Sequence, residues 1–367
     1  MSFILLLEII FLIVISILKN NVMVAEVWTR TFGRSYTTFF GKMNEKVPFS
    51  ITEVSMIIVI ISCIIFLAWG FSLLGTKRPW GFVHRLLMIG IIVIGTVAMY
   101  NASVGMAYNR KAMPIERYTG EIKTEEFLQI ATYFVEDCNK CADEMTFDDE
   151  GEIMLPFKKE YINDLLKKEY AKLDNDYFSS YTPTAKALGS SPLFTSVAIV
   201  GMYFGVLGEA NYNTYSTNAE LPFYIAHEMA HGKGVMREDD AQLLAMQVCL
   251  MSEEPLLRYS AYYNTLDSIL RILDYTENEE DYDNVKSLIS DKVWKNYSYI
   301  YKHWKGKMFL ADFGDKVNDW YLKTFGQKGG TSSYEDTDTD VDPETGKVVY
   351  LSNYQSIYFK IYYDKKA

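Results

Sequence analysis

Histidine and cysteine are scarce in this chain, with four of each among 367 residues. Four cysteines are too few for a disulfide scaffold, so an apolar core must hold the fold. Cys63 lies in an apolar run and Cys249 in a core-helix pattern, where a thiol behaves as a small hydrophobe. Cys138 and Cys141 form a C-x-x-C without a second pair or nearby histidine, which predicts a helix face or a local disulfide rather than redox or metal chemistry. Acidic residues are nearly missing from one part of the chain. Residues 1–111 hold four (Glu8, Glu26, Glu45, Glu53) against ten Lys and Arg, whereas the remainder holds 43 acidic and 26 basic residues. Such a shift marks a boundary. The acidic remainder argues against nucleic acid as a partner, because a phosphate backbone is bound by clustered Lys and Arg.

Long apolar runs are abundant in the acid-poor part. The runs at about 54–74 and 86–104 read as transmembrane helices, and 3–18, interrupted by Glu8, reads as a third, retained anchor. The predicted organisation is a membrane region over 1–110 and a folded domain over 111–367, with the lipid bilayer as a partner. Between the first two runs, Trp28, Phe32, Tyr36, Phe39 and Phe40 alternate with Arg30, Arg34 and Lys42, a composition suited to the membrane surface or to a folded loop. Lys77, Arg78 and Arg85 between the second and third runs favour a multi-pass protein of the cell membrane with the large domain outside.

Beyond residue 110, apolar periodicity predicts helices over 124–145, 158–173 and 254–275, and the glycine-broken run 193–214 reads as two or three short strands. The acids of 336–344 lack an EF-hand's glycine and glutamate spacing and read as a solvated loop.

Two of the four histidines fall in one stretch, IAHEMAHGKGVMREDDA, residues 225–241. Four residues apart on a helix, His227 and His231 share a face and can offer two imidazoles to one metal ion, with Glu228 placed as general base. Gly232 and Gly234 end that helix, and a second begins near Met236. On the second helix Glu238 shares a face with Ala241 and Ala245, which makes it the expected third ligand, with Asp239 or Asp240 as the alternative. Lys233, Arg237 and the acidic run argue against an intramembrane site.

This pattern resembles the gluzincin clan of zinc peptidases, in which the third ligand opens an E-x-x-A-[ND] motif. The chain is more closely similar to an uncharacterised bacterial family of membrane-anchored, gluzincin-like proteins. Their G-E-A-N-x-N, HExxH and R-E-D-[ED]-A-N segments correspond to Gly208–Asn213, His227–His231 and Arg237–Gln242. The segments Pro48–Ser50, Arg258–Ser260 and Asn318–Leu322 fit as well. The resemblance implies an α+β, mostly helical architecture: transmembrane helices followed by a zincin-like metallopeptidase domain with a small β-sheet. It also implies Zn2+ as cofactor and a peptide or protein substrate at the cell surface or wall. Gln242 stands where the motif has Asn or Asp to steady a ligand histidine.

Amide hydrolysis further needs substrate contacts and an oxyanion donor. Outward Asn211 and Asn213 are the expected substrate contacts, unless they serve a structural hairpin. Tyr259, His303 and Tyr334 are the candidate donors. A non-catalytic zinc-binding sensor or scaffold on the same fold is the alternative.

Overall fold

The first apolar run folds as α1 (Ser2–Leu18), 17 residues long and short of the roughly 20 that a bilayer span needs. A bend of 118° separates it from the helical stretch Val22–Asn44. That stretch comprises α2 (Val22–Trp28), a π-helical turn (Thr29–Gly33) and α3 (Arg34–Asn44). In the computed structural model, which describes residues 1–366, α4 (Ile51–Gly75) and α5 (Pro79–Ser103) are each long and apolar enough to cross a membrane. Two helices rather than three therefore meet that test by themselves, and α1 passes only if counted with the stretch beyond its bend.

Both long helices start earlier than their apolar runs. Ser50 accepts a hydrogen bond from Glu53 N at the head of α4, and Pro79 occupies the first turn of α5, where its missing N–H costs nothing. Arg85, expected in the polar hairpin, lies inside α5 with its guanidinium 3.6 Å from the Trp69 ring centroid. Leu5 and Glu8 of α1 pack against Gly90 and Gly95, so α1 runs parallel to α5.

The aromatic linker folds onto the protein, the second of the two readings above. Asn44 donates to Leu207 O (2.7 Å), Tyr36 to Val206 O (3.1 Å), and Arg34 to the carbonyls of Asp176 and Tyr177. Close approach needs Gly208 at φ +60°, because a Cβ there would lie 2.3 Å from Thr37 O. Glu26 and Arg110 form a buried pair at 2.9 Å, joining α2 to the chain that follows α5.

The rest is helical around a small sheet. Predicted helices appear as α6 (Phe127–Asp143), α7 (Ile162–Tyr170) and, further on, residues 255–270. The 193–214 run contributes two short strands, as expected, after beginning within a helix, and the third strand of the sheet lies upstream. In order these are β1 (Ala185–Leu188), α8 (Ser191–Ser196), β2 (Gly201–Phe204) and β3 (Glu209–Asn213). The sheet order is β1-β3-β2, with β1 parallel and β2 antiparallel to β3. Next come α9 (Leu221–Gly232), α10 (Glu238–Leu250), α11 (Pro255–Leu270), α12 (Asp281–Lys286), α13 (Asp291–Trp304) and α14 (Ala311–Phe325). A two-stranded ribbon, β4 (Asp340–Val341) with β5 (Val348–Tyr350), precedes α15 (Asn353–Lys366).

The core is aromatic: Phe134 of α6, Tyr262 of α11 and Tyr358 of α15 pack ring on ring. Cys138 and Cys141 are free, buried thiols on α6, the helix-face reading of their spacing. In the acidic segment, Asp336 accepts hydrogen bonds from Ser268 and Ser352, and Asp342 caps a turn at Glu344 and Thr345.

Candidate metal centre

Helix α9 is held at several points. Phe223 N, an unpaired donor of the first turn, donates to Ser260 Oγ (3.0 Å), and Tyr170 donates to Ala226 O (2.6 Å). The C-terminus is a Schellman cap. Val235 N reaches back to Ala230 O (3.1 Å) and Gly234 N to His231 O (3.0 Å), with Gly234 at φ +93°. Arg110 donates to Gly234 O (3.0 Å), fixing the cap to α2 through Glu26.

This cap aims the second histidine. It folds Val235 O to 2.8 Å from His231 Nδ1, so that nitrogen carries the proton and donates, which leaves Nε2 free to bind a cation. Three residues after Val235, Glu238 opens α10, its amide donating to Gln327 Oε1 (3.2 Å). Its carboxylate Oε2 lies 3.0 Å from His227 Nε2 and 3.5 Å from His231 Nε2. The two imidazole rings are 4.7 Å apart between centroids and perpendicular.

One ligand atom each from His227, His231 and Glu238 lie within 4.8 Å of one another, and the group is buried. Among the described residues no other set of His, Cys, Asp and Glu converges in this way. Two borderline nitrogen donors and one carboxylate oxygen are a donor set that divalent cations such as zinc accept. The group can hold a metal ion. Asp239 and Asp240, the alternative ligands, turn to Arg237 instead, at 2.5 and 3.5 Å.

The metal-free electrostatics are those of a buried ion cluster. Burial opposes charge on Glu238, yet His231 and His227 overcome it and hold the carboxyl well below the ordinary range. Burial likewise opposes the imidazolium of His231, but Glu238 lifts it to about 9. Glu228, beside the first ligand, goes the other way: burial raises it to about 7, outweighing the two histidines. Its Oε2 has no hydrogen-bond partner, and neither has His227 Nδ1. Gln242 thus does not steady that histidine, contrary to the role its position implied.

Asn211 and Asn213 are not outward. They sit in β3, the central strand, and are fully buried. Asn213 donates to Thr195 Oγ1 and Ile199 O, and Asn211 to Met202 O, so both amides brace the hairpin. The strand beside the centre is β2, at the sheet edge, where a Cβ on Gly201 would lie 2.5 Å from Glu228 Oε1. Gly201 opens β2, and a glycine in a strand is the sequence signal for such an approach. Sequence reasoning also missed Gln327 and Arg110, which reach the centre from distant segments and carry no local pattern.

Of the three oxyanion candidates only Tyr334 is present at the centre. Its ring lies 6.2 Å from the His227 ring, and Asn318 donates to its hydroxyl (3.4 Å). Burial, with the charges of Glu238 and Glu228, raises its pKa. Tyr259 is a core residue donating to Asn296 (2.9 Å), and His303 of α13 lies 2.7 Å from Tyr215 O beside Lys307.

A family model described as a protein of unknown function (DUF3810) matches residues 28–337, and the chain belongs to that family. The match takes in α4 and α5 as well as His227, His231 and Glu238. No curated protein and no solved structure matches the chain.

Proposed function

We propose that this protein is a membrane-anchored, zinc-dependent metallopeptidase with a gluzincin-like centre. His227, His231 and Glu238 are its metal ligands and Glu228 its general base. The observation that carries this reading is the convergence of the three ligand atoms beside a carboxylate that none of them needs. A purely structural zinc site is more often closed by four protein ligands and has no use for an adjacent base.

When bound, zinc supplies the Lewis acidity that polarises a peptide carbonyl. The remaining work falls to the chain. Glu228, beside the first ligand, takes a proton from the attacking water and returns it to the leaving amine. The edge of β2 offers unpaired backbone groups to an extended peptide, and Tyr334 is placed to donate to the developing oxyanion. Helices α4 and α5 cross the membrane and hold the domain at the outer surface, where surface or wall peptides are the substrates.

One observation favours the alternative, a non-catalytic zinc sensor or scaffold: His227, Glu228, His231 and Glu238 are each less than a tenth exposed. Metal analysis of the purified full-length protein, coupled to cleavage of a peptide library with and without chelator, separates the two. Zinc at one equivalent with chelator-sensitive cleavage supports the peptidase. Zinc without cleavage, and biological activity unchanged by Glu228→Gln, supports the sensor.

A further inference from the structure

Helix α14 turns three apolar side chains outward. Phe313 (62% exposed), Val317 and Trp320 (68%) recur at helical spacing, and Phe309 (74%) and Leu310 extend the stripe ahead of the helix. The buried positions are Gly314, Leu322 and Phe325. A surface helix ordinarily turns such a stripe to the core, and an apolar patch left exposed marks an interaction surface.

The two ends of α14 indicate what covers it. At its start, Leu310 N donates to Ser196 O (2.8 Å), and a Cβ on Gly314 would meet Val197 O at 2.0 Å, so the helix is pressed against the end of α8. Just ahead of α8, Gly189 N and Ser190 N donate to the Glu53 carboxylate in the first turn of α4. At its other end, the Tyr321 hydroxyl hydrogen-bonds that of Tyr100 in the last turn of α5. The Phe325 ring packs 4.9 Å from Tyr100, under the Lys19 ammonium that follows α1. The 15 residues of α14, about 22 Å of helix, therefore run from the beginning of one apolar helix to the end of the other.

We propose that α14 is an interfacial helix whose outward stripe docks on the lipid surface of the bilayer that α4 and α5 cross. This rests on the reading of α4 and α5 as transmembrane, and not on the peptidase reading. Asp312, Asp315 and Asp319 outnumber Lys316 and Lys323 on the helix, so apolar insertion by about 5–10 Å, rather than attraction to anionic headgroups, holds it. Past Gly326, the chain continues into the turn Gly330–Tyr334 that lies against His227. Lipid thus grips the outer side of the segment whose far end covers the metal centre.

The test uses full-length protein in phosphatidylcholine vesicles, carrying nitroxide labels at single cysteines. In a Cys63→Ser background, Phe313→Cys and Trp320→Cys report on the stripe, and Tyr301→Cys, at an exposed site on α13, reports on water. The unmodified Cys63 of α4 reports on that helix in a separate sample, the other three thiols being buried. The expected result at 313 and 320 is access to oxygen and a severalfold loss of collision with a water-soluble nickel chelate relative to 301, insensitive to salt. Nickel access at 320 equal to that at 301, with Cys63 in lipid, overturns this inference alone. Nickel access at Cys63 overturns the transmembrane reading with it. Protection that disappears as the protein is diluted among vesicles marks a second copy as the occupant, and protection requiring anionic lipid marks charge attraction; each overturns the proposal as stated.

Discussion

Two buried clusters built on carboxylates illustrate opposite uses of the same group. Glu209, on β3, is saturated: it accepts from Lys186 Nζ (2.6 Å) and from the amides of Thr52 (2.7 Å) and Ile51 (3.2 Å), and Ser50 Oγ lies at 3.4 Å. These amides are the unpaired donors at the head of α4, so the carboxylate caps an apolar helix and ties it to the sheet. Lys186 completes the knot by donating to Asn44 O and Phe49 O. Around Glu228 and Glu238, by contrast, polar capacity is left over, with a partnerless Glu228 oxygen, a partnerless His227 nitrogen and three cation-binding atoms facing one another. A satisfied buried cluster holds structure together, whereas an unsatisfied one has room for chemistry.

The sharpest way to break this contrast is to neutralise one carboxylate on each side. Glu228→Gln is expected to lower peptide turnover by at least about 10²–10⁴-fold while metal content by mass spectrometry stays unchanged. Unchanged turnover would place Glu228 with the structural acids. Glu238→Ala should abolish stoichiometric metal, read by the same measurement, because it removes one of three ligands. On the other side, Glu209→Ala strands the Lys186 ammonium in the interior and should cost about 3–5 kcal/mol, read as a fall in Tm. The double variant Glu209→Ala/Lys186→Met should recover part of that loss.

Smaller effects sharpen the comparison. Gly201→Ala pushes a methyl group into Glu228 and should cost about 1–3 kcal/mol of overpacking, seen as a fall in Tm with metal retained. In chelator-stripped protein, His231 is raised to about 9 from an unfolded value near 6.5, so its contribution to stability is complete below the unfolded value and is lost as pH rises through 9. Chemical denaturation from pH 6.5 to 9 should show that loss without metal. The metal-loaded protein should lack it, since the imidazole must be neutral to bind.

The centre was legible because its parts are local. Histidines four apart, two glycines and an acid at the next helix start fall within one short stretch, and helical periodicity places them on facing surfaces. One departure and two choices that the residues leave open share a different origin. Strand alternation does not encode strand order, so β3 was read as exposed although β2 holds the edge, and the four residues of β1 were too few to register. Aromatic and basic residues suit a headgroup layer and a protein surface equally, and α3 found the latter. Tyr334 could not be singled out from Tyr259 and His303 because a contact across a hundred residues leaves no spacing to read.

The turn from α9 to α10 bears on how the protein comes into being. All three candidate ligands occur within the twelve residues 227–238, so assembling them closes only a tiny loop, at small entropic cost. A nascent chain can complete this cluster while its last third is still on the ribosome. The segment that will shield it, Gly330–Tyr334, arrives afterwards, so in a newly made molecule the cluster stands open for an interval.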